Sequence, residues 1–420
     1  MTINNTQIPN NVTDLLVDEC VRKRALEQAV RSRFLSCGYR EVCPAGLEFY
    51  DTYSSGVGAR AQEEMLKTFD NHGRILVLRP EFTTPIARLA ASKLRGEALP
   101  LRLCYLGTAY ANPSPKGARQ RAEFTQAGVE LMGCDGAQAD AEVVMLALES
   151  MRASGLADYM VEIGQVDFFK GLMEEAGLDE ETTELVRTYV EEKNMLAIEL
   201  LLRGNGAAEV AIARIRELPM LFGGREVFAR AEKLSASPKC RAALENLRAI
   251  YDALCACGFE DFVTIDLGMV HAIGYYTGMI FRGISASFGQ PLLSGGRYDG
   301  LLRDFGRPLG AVGFAMGLEH VLEALDRQAD AARQANEAAK APALDALLVV
   351  GGAHQSHQDP QDYAQDQGQS SGGEGGPDPV QILFPAVGLN KGHIELHIKF
   401  LPPGDGVCNS RVSGEHHPAP

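Results

Sequence analysis

Two rhythms of hydrophobic and polar positions alternate along the chain. Over residues 10–37, Leu15, Leu16, Cys20, Leu26 and Val30 recur near helical spacing until Gly38-Tyr39 interrupts them. Strand-like runs follow: REVCPAGLEFY at 40–50, RILVLRP at 74–80, LPLRLCYLGTAY at 99–110 and AEFTQAGVELMG at 122–133. A helix pattern at 139–153 separates these from a further strand-like piece, DYMVEIGQV. Residues 166–258 are helical in pattern almost throughout, and the last of these helices sets Leu244, Leu247, Tyr251 and Leu254 on one face, the stripe of a helix packed on a core. Strand patterns return at 260–270, 275–285 and 310–316, before a helix from about Leu318 to Ala339. Strands clustered on both sides of an all-helical block predict an α+β fold with a helical insertion at about 166–258. A doubly wound parallel sheet fits poorly, because strand and helix do not alternate.

Composition changes the picture mainly at the C-terminal end. Residues 327–343, RQADAARQANEAAKAPA, read as a helical linker, and ALDALLVVGG after it could open a small second domain. From Gln355 the text becomes QSHQDPQDYAQDQGQSSGGEGGPDP, poor in apolar residues, so 344–420 is expected to be a remnant domain or an aberrant, disordered tail. A shifted reading frame would produce such a tail, since Gln-Asp and Gln-Gly codon pairs read one base later give lysine or arginine. The net charge of −15 shows no basic block and argues against a dedicated nucleic-acid binder. No apolar run is long enough to span a bilayer, and the opening MTINNTQIPN has no signal-peptide pattern. Nine scattered cysteines without a CxxC spacing suggest free thiols, and a cytoplasmic protein is expected.

Four segments carry candidate chemistry: Leu78-Arg79-Pro80-Glu81-Phe82-Thr83-Thr84-Pro85; the stretch from Tyr105 to Glu123-Phe124-Thr125-Gln126-Ala127-Gly128-Val129-Glu130; Ile273-Gly274-Tyr275-Tyr276-Thr277-Gly278; and Ser294-Gly295-Gly296-Arg297-Tyr298-Asp299-Gly300 with Gly313-Phe314-Ala315-Met316-Gly317-Leu318-Glu319-His320. On a strand, Gln126 and Glu130 share a face. In this order and spacing the segments resemble the catalytic core of histidyl-tRNA synthetase, a class II synthetase, over about Arg24 to Leu325. The resemblance implies an antiparallel sheet flanked by helices in a core at 1–326, with a small C-terminal appendix. It implies that Glu81, Thr83, Gln126, Glu130, Tyr275 and Tyr276 bind the ammonium and imidazole of histidine. Carboxylates and hydroxyls suit an ammonium, and an imidazole wants a polar partner on each ring nitrogen. Any one of these tyrosines alone would read as a core aromatic; the set in register reads as a pocket.

The departures from that family matter as much. Class II enzymes meet the charge developing on the α-phosphate with arginines. Where the resemblance calls for them this chain has Ala111, His271 and His320, and Gly274 replaces an acidic residue before the tyrosines. Histidine is mostly neutral at pH 7 and lacks the guanidinium fork. Losing even one such donor costs roughly a hundred- to a thousandfold in rate. Arg119, Arg121, Arg297 and Arg303 survive nearby and leave some anion affinity open. An amino-acid pocket without its phosphate grip resembles the regulatory-subunit family of ATP phosphoribosyltransferase. That resemblance implies no catalytic residues, metal or cofactor. It implies a homodimer inside a hetero-oligomer with the short-form catalytic subunit, with Arg40–Leu47 at the dimer interface, L-histidine as ligand, and no role for tRNA or membrane. The alternatives are a divergent histidyl-tRNA synthetase and a histidine sensor for another partner.

Overall fold

The computed structural model describes residues 6–53, 65–112, 121–270 and 276–340. The described chain through Ala335 forms one compact unit. Helix α1 (Val17–Ser36) buries Leu26, Val30 and Phe34, spaced i, i+4, i+8. The helical pattern expected from residue 10 therefore begins later. Leu15 and Leu16 precede the helix and are exposed, and the Leu16 N–H donates to Glu19 Oε2 at 2.9 Å to close the first turn.

The chain then lays down β1 (Arg40–Glu41), β2 (Leu47–Phe49), β3 (Lys67–Phe69) and β4 (Ile75–Leu78), followed by α2 (Thr83–Ser92). Two ten-residue strands, β5 (Leu101–Tyr110) and β6 (Glu123–Met132), form a long antiparallel ladder, and α3 (Ala137–Ala153) and β7 (Tyr159–Gln165) follow. After the insertion come β9 (Val263–Asp266), β10 (Met279–Ser285), β11 (Leu293–Arg297), the short α10 (Leu301–Asp304), β12 (Ala311–Gly317) and α11 (Leu318–Lys340). One nine-stranded sheet runs β1-β5-β6-β12-β11-β10-β7-β9-β8, where β8 is Phe222–Gly223; β2-β4-β3 form a small separate sheet. The large sheet is antiparallel except at β1–β5 and β7–β9, which are parallel.

Phe314 packs edge-on against Phe34 of α1 at 5.9 Å and against Phe281 at 6.2 Å, so one face of the sheet is closed by α1. Helix α3, buried along most of its length, packs against β6, β7, β10, β11 and β12. Alternation then turns Gly296, Gly313 and Glu130, which sit in register across β11, β12 and β6, to the opposite face.

The expected helical insertion is α4 (Val166–Glu175), α5 (Glu180–Glu191), α6 (Met195–Gly204), α7 (Glu209–Arg216), α8 (Glu226–Ala231) and α9 (Pro238–Ala256). Side chains of Asp179, Asn194 and Ser237 accept backbone N–H groups at the starts of α5, α6 and α9, satisfying donors that a helix end leaves unpaired. The block is not wholly helical, because β8 leaves it to pair with β9 at the sheet edge. Residues 327–340 of the expected linker continue α11 without a break; the rest of the linker and 344–420 lie outside the described residues. Among the described residues no helix is long and apolar enough to cross a membrane.

Candidate functional site

The site begins with an arginine that never reaches it. Arg79 follows β4 and sends Nε to the Thr108 carbonyl at 2.9 Å and Nη1 to the Pro44 carbonyl at 2.7 Å, with its guanidinium 4.0 Å over the Phe82 ring. That anchor fixes the turn into α2. There Glu81 accepts the Thr84 N–H at 3.1 and 3.2 Å, a carboxylate at a helix N-terminus. Thr83 is thereby aimed at β6 and donates to Glu130 Oε1 at 2.7 Å.

Glu130 is fully buried, and the Tyr298 hydroxyl donates to its other oxygen. Burial pushes its carboxyl up to about 8. The Tyr298 and Thr83 hydrogen bonds oppose the shift and the nearby Glu81 charge adds to it. Its side chain lies across Gly313, where a Cβ would stand 2.0 Å from Oε2, so only glycine fits beneath it. Tyr276 covers Gly296 in the same way, with a Cβ there 2.8 Å from its ring. Burial, then the charges of Glu130 and Glu81, push the Tyr276 phenol above its usual range. Tyr105 closes the remaining side, stacked on Phe82 at 4.5 Å.

Four of the six expected pocket residues, Glu81, Thr83, Glu130 and Tyr276, thus converge. Gln126 shares the face of β6 with Glu130 but lies four residues along, in register with Gly317 and Gly107. Its Oε1 is buried without a hydrogen-bond partner among the described residues. Tyr275 lies outside the described residues, as does His271. The pattern of motifs did not single out Tyr298 or Tyr105 as pocket groups, although each sits inside a quoted segment. Among the described residues no cluster of His, Cys, Asp and Glu is arranged for a metal ion, and Cys20 to Cys257 are free thiols.

The remaining substituted positions are also defined. Ala111 ends the β5–β6 ladder, with its N–H donating to the Ala122 carbonyl at 3.0 Å and its methyl buried. His320 stands in the first turn of α11 with its ring 5.3 Å from Phe288, tilted by 42°. Of the surviving arginines, Arg297 is committed to the fold. Its Nε and Nη2 meet Asp140 Oδ1 at 2.9 and 2.6 Å, and Nη1 meets Asp299 Oδ1 at 3.2 Å. Arg303 is exposed. Arg121 lines a cavity of about 190 Å³ between α1 and α11, beside Lys23 and Glu319. Arg119 lies outside the described residues. Arg297→Ala would leave Asp140, 1% exposed, as an uncompensated buried charge. The expected loss is about 3–5 kcal/mol of stability in denaturant melts; a loss below about 1 kcal/mol would return Arg297 to the candidates for anion binding.

The family model for histidyl-tRNA synthetase matches residues 11–321. An ATP phosphoribosyltransferase regulatory subunit of Acetivibrio thermocellus is 46% identical over 320 residues, 76% of each chain. One of Clostridium acetobutylicum is 42% identical over 322 residues, 76% of this chain and 79% of the relative. Among solved structures, an ATP phosphoribosyltransferase regulatory subunit/histidyl-tRNA synthetase from Bacillus halodurans superposes with a TM-score of 0.73 at 31% identity, over 80% of this chain and 91% of that one. Histidyl-tRNA synthetase from Nostoc shares the fold with a TM-score of 0.67 at 17% identity, over 78% of this chain and 77% of that one. With a family model matched over residues 11–321 and a relative 46% identical over 76% of its length, the chain belongs to the histidyl-tRNA synthetase-like family of ATP phosphoribosyltransferase regulatory subunits.

Proposed function

We propose that this chain is the non-catalytic regulatory subunit of an ATP phosphoribosyltransferase. In this reading it supports the first step of histidine biosynthesis by activating a separate short-form catalytic subunit in the cytoplasm, and it makes that step sensitive to L-histidine. The names of its relatives support the partnership. The pocket chemistry supports the ligand: Glu81 offers a carboxylate to an ammonium, Glu130 offers a buried carboxyl to a ring nitrogen, and Tyr276 and Gln126 supply the remaining polar contacts. A homodimer inside a hetero-oligomer is part of the same reading.

The observation that carries the non-catalytic half is Ala111. Its buried methyl occupies the strand end where an adenylating relative would present a guanidinium to the α-phosphate, and Arg79 and Arg297 are consumed by the fold. Histidine-dependent exchange of pyrophosphate into ATP tests this half. The purified chain should show none above background, and robust exchange would overturn the non-catalytic assignment.

A further inference from the structure

A second compartment opens on the same face of the sheet as the Glu130 pocket, but to one side of it. Tyr105, Gly128, Ala315, Ser294, Arg282 and Glu162 are consecutive register partners across β5, β6, β12, β11, β10 and β7. At about 4.8 Å per strand, Arg282 lies three strands, or roughly 14 Å, from Gly128. Over the Arg282 end of this row is a cavity of about 350 Å³, roofed by the end of α5 and by Pro219 of the insertion and floored by Asp266, Arg282 and Ser294. That volume is within the range of small-molecule sites.

Its charges are balanced in sign and only partly paired with one another. Arg282 directs Nε to Glu162 and holds Nη2 3.6 Å from Asp266 Oδ2, while its Nη1 has no partner among the described residues. Asp266 is nearly buried; its Oδ1 accepts the Gly268 N–H at 2.9 Å. Glu191, the remaining lining acid, is held by Arg187 at 3.1 Å. Lys193 forms no ion pair among the described residues; its Nζ stands 6.0 Å from the centre of the Phe222 ring and acts on Asp266 at longer range.

The backbone at Lys193 is the second observation. Its φ is +53°, and the bonds Lys193 N–H to the Val190 carbonyl (3.1 Å) and Asn194 N–H to the Tyr189 carbonyl (2.8 Å) make it the left-handed residue that closes α5. Glycine is the residue preferred there. A lysine is kept in a conformation that disfavours side chains, and that side chain lines the cavity.

We propose that this cavity is a second small-molecule site, separate from the Glu130 pocket, and that it takes a zwitterionic α-amino acid with its carboxylate toward Lys193 and Arg282 Nη1 and its ammonium toward Asp266. Two cations balanced by Asp266 and Glu162 favour a ligand of zero net charge over a simple anion. The proposal does not depend on what the Glu130 pocket binds.

Calorimetric titration of the full chain tests it, in a Glu130→Gln background that weakens the first pocket. The probes are the proteinogenic L-amino acids and inorganic phosphate. At least one amino acid should bind saturably, one per chain. Lys193→Gly should weaken that binding at least tenfold while leaving the melting temperature unchanged or higher, because glycine suits the left-handed position. Ser294→Leu, which fills the floor, should weaken it as well. The proposal is overturned if no amino acid binds in this background, if Lys193→Gly leaves the binding unchanged, or if inorganic phosphate binds equally well.

Discussion

Replacing Glu130 with glutamine is expected to weaken L-histidine binding by about 10- to 100-fold while leaving the protein folded. The size follows from removing a hydrogen bond that becomes charge-assisted when the proton Glu130 holds in the empty pocket passes to the imidazole, worth about 1.5–3 kcal/mol. The fold should survive because glutamine matches glutamate in shape, and the Thr83 and Tyr298 hydroxyls that donate to the carboxylate can rotate to accept instead. The same variant has a pH signature. Burial raises the Glu130 carboxyl from 4.5 to about 8 in the empty pocket, so between those values the folded chain holds a proton that the unfolded chain has released. The stability from this group is therefore fully present below about pH 4.5 and is lost as pH rises through about 8, a difference on the order of a few kcal/mol. The gap in stability between wild type and Glu130→Gln should move against the wild type across that window in denaturant titrations at fixed pH. A gap that stays constant from pH 5 to 8.5, or histidine binding that glutamine leaves untouched, would remove Glu130 from its assigned role.

Much of this arrangement is legible in the linear pattern, and where it is not the reasons are physical. Strands β5 and β6 stand out because ten residues of apolar-rich alternation have no other home, and the insertion because 166–258 carries helical periodicity between strand-rich flanks. Strand β11 reads as a loop, because Ser294-Gly295-Gly296 has no hydrophobic signature. Its glycines are required by the sheet itself: a Cβ on Gly295 would lie 2.7 Å from Phe281 and one on Gly296 2.8 Å from Tyr276. Helix α2 escapes notice because its buried face is built from Thr84, Pro85, Ala87, Ala90 and Ala91 around a single Ile86, too little bulk to mark a period.

The site divides along the same line. Glu81 and Thr83 are neighbours in sequence, and Gln126 and Glu130 share a strand face, so local spacing marks them. Tyr298 reaches Glu130 across 168 residues, and no local pattern encodes that hydrogen bond. The surviving arginines show the limit from the other side. Proximity in sequence to the family motifs suggested anion affinity for Arg297, but Asp140 and Asp299 already hold it.

The proposed function joins three parts: recognition of an amino acid at Glu130, loss of its activation at position 111, and an output passed to another chain. The measurement that tests this most directly is ATP phosphoribosyltransferase activity of a purified short-form catalytic subunit titrated with this chain, with and without L-histidine. A pocket-bearing subunit that acts through its partner can change the partner's rate only if it binds two states of that partner unequally, and histidine can reverse the effect only by shifting the same balance. The account predicts that activity rises with added chain to saturation, falls when histidine is supplied, and becomes at least tenfold less sensitive to histidine when the chain carries Glu130→Gln. Catalytic activity that is indifferent to the chain at every ratio would contradict it.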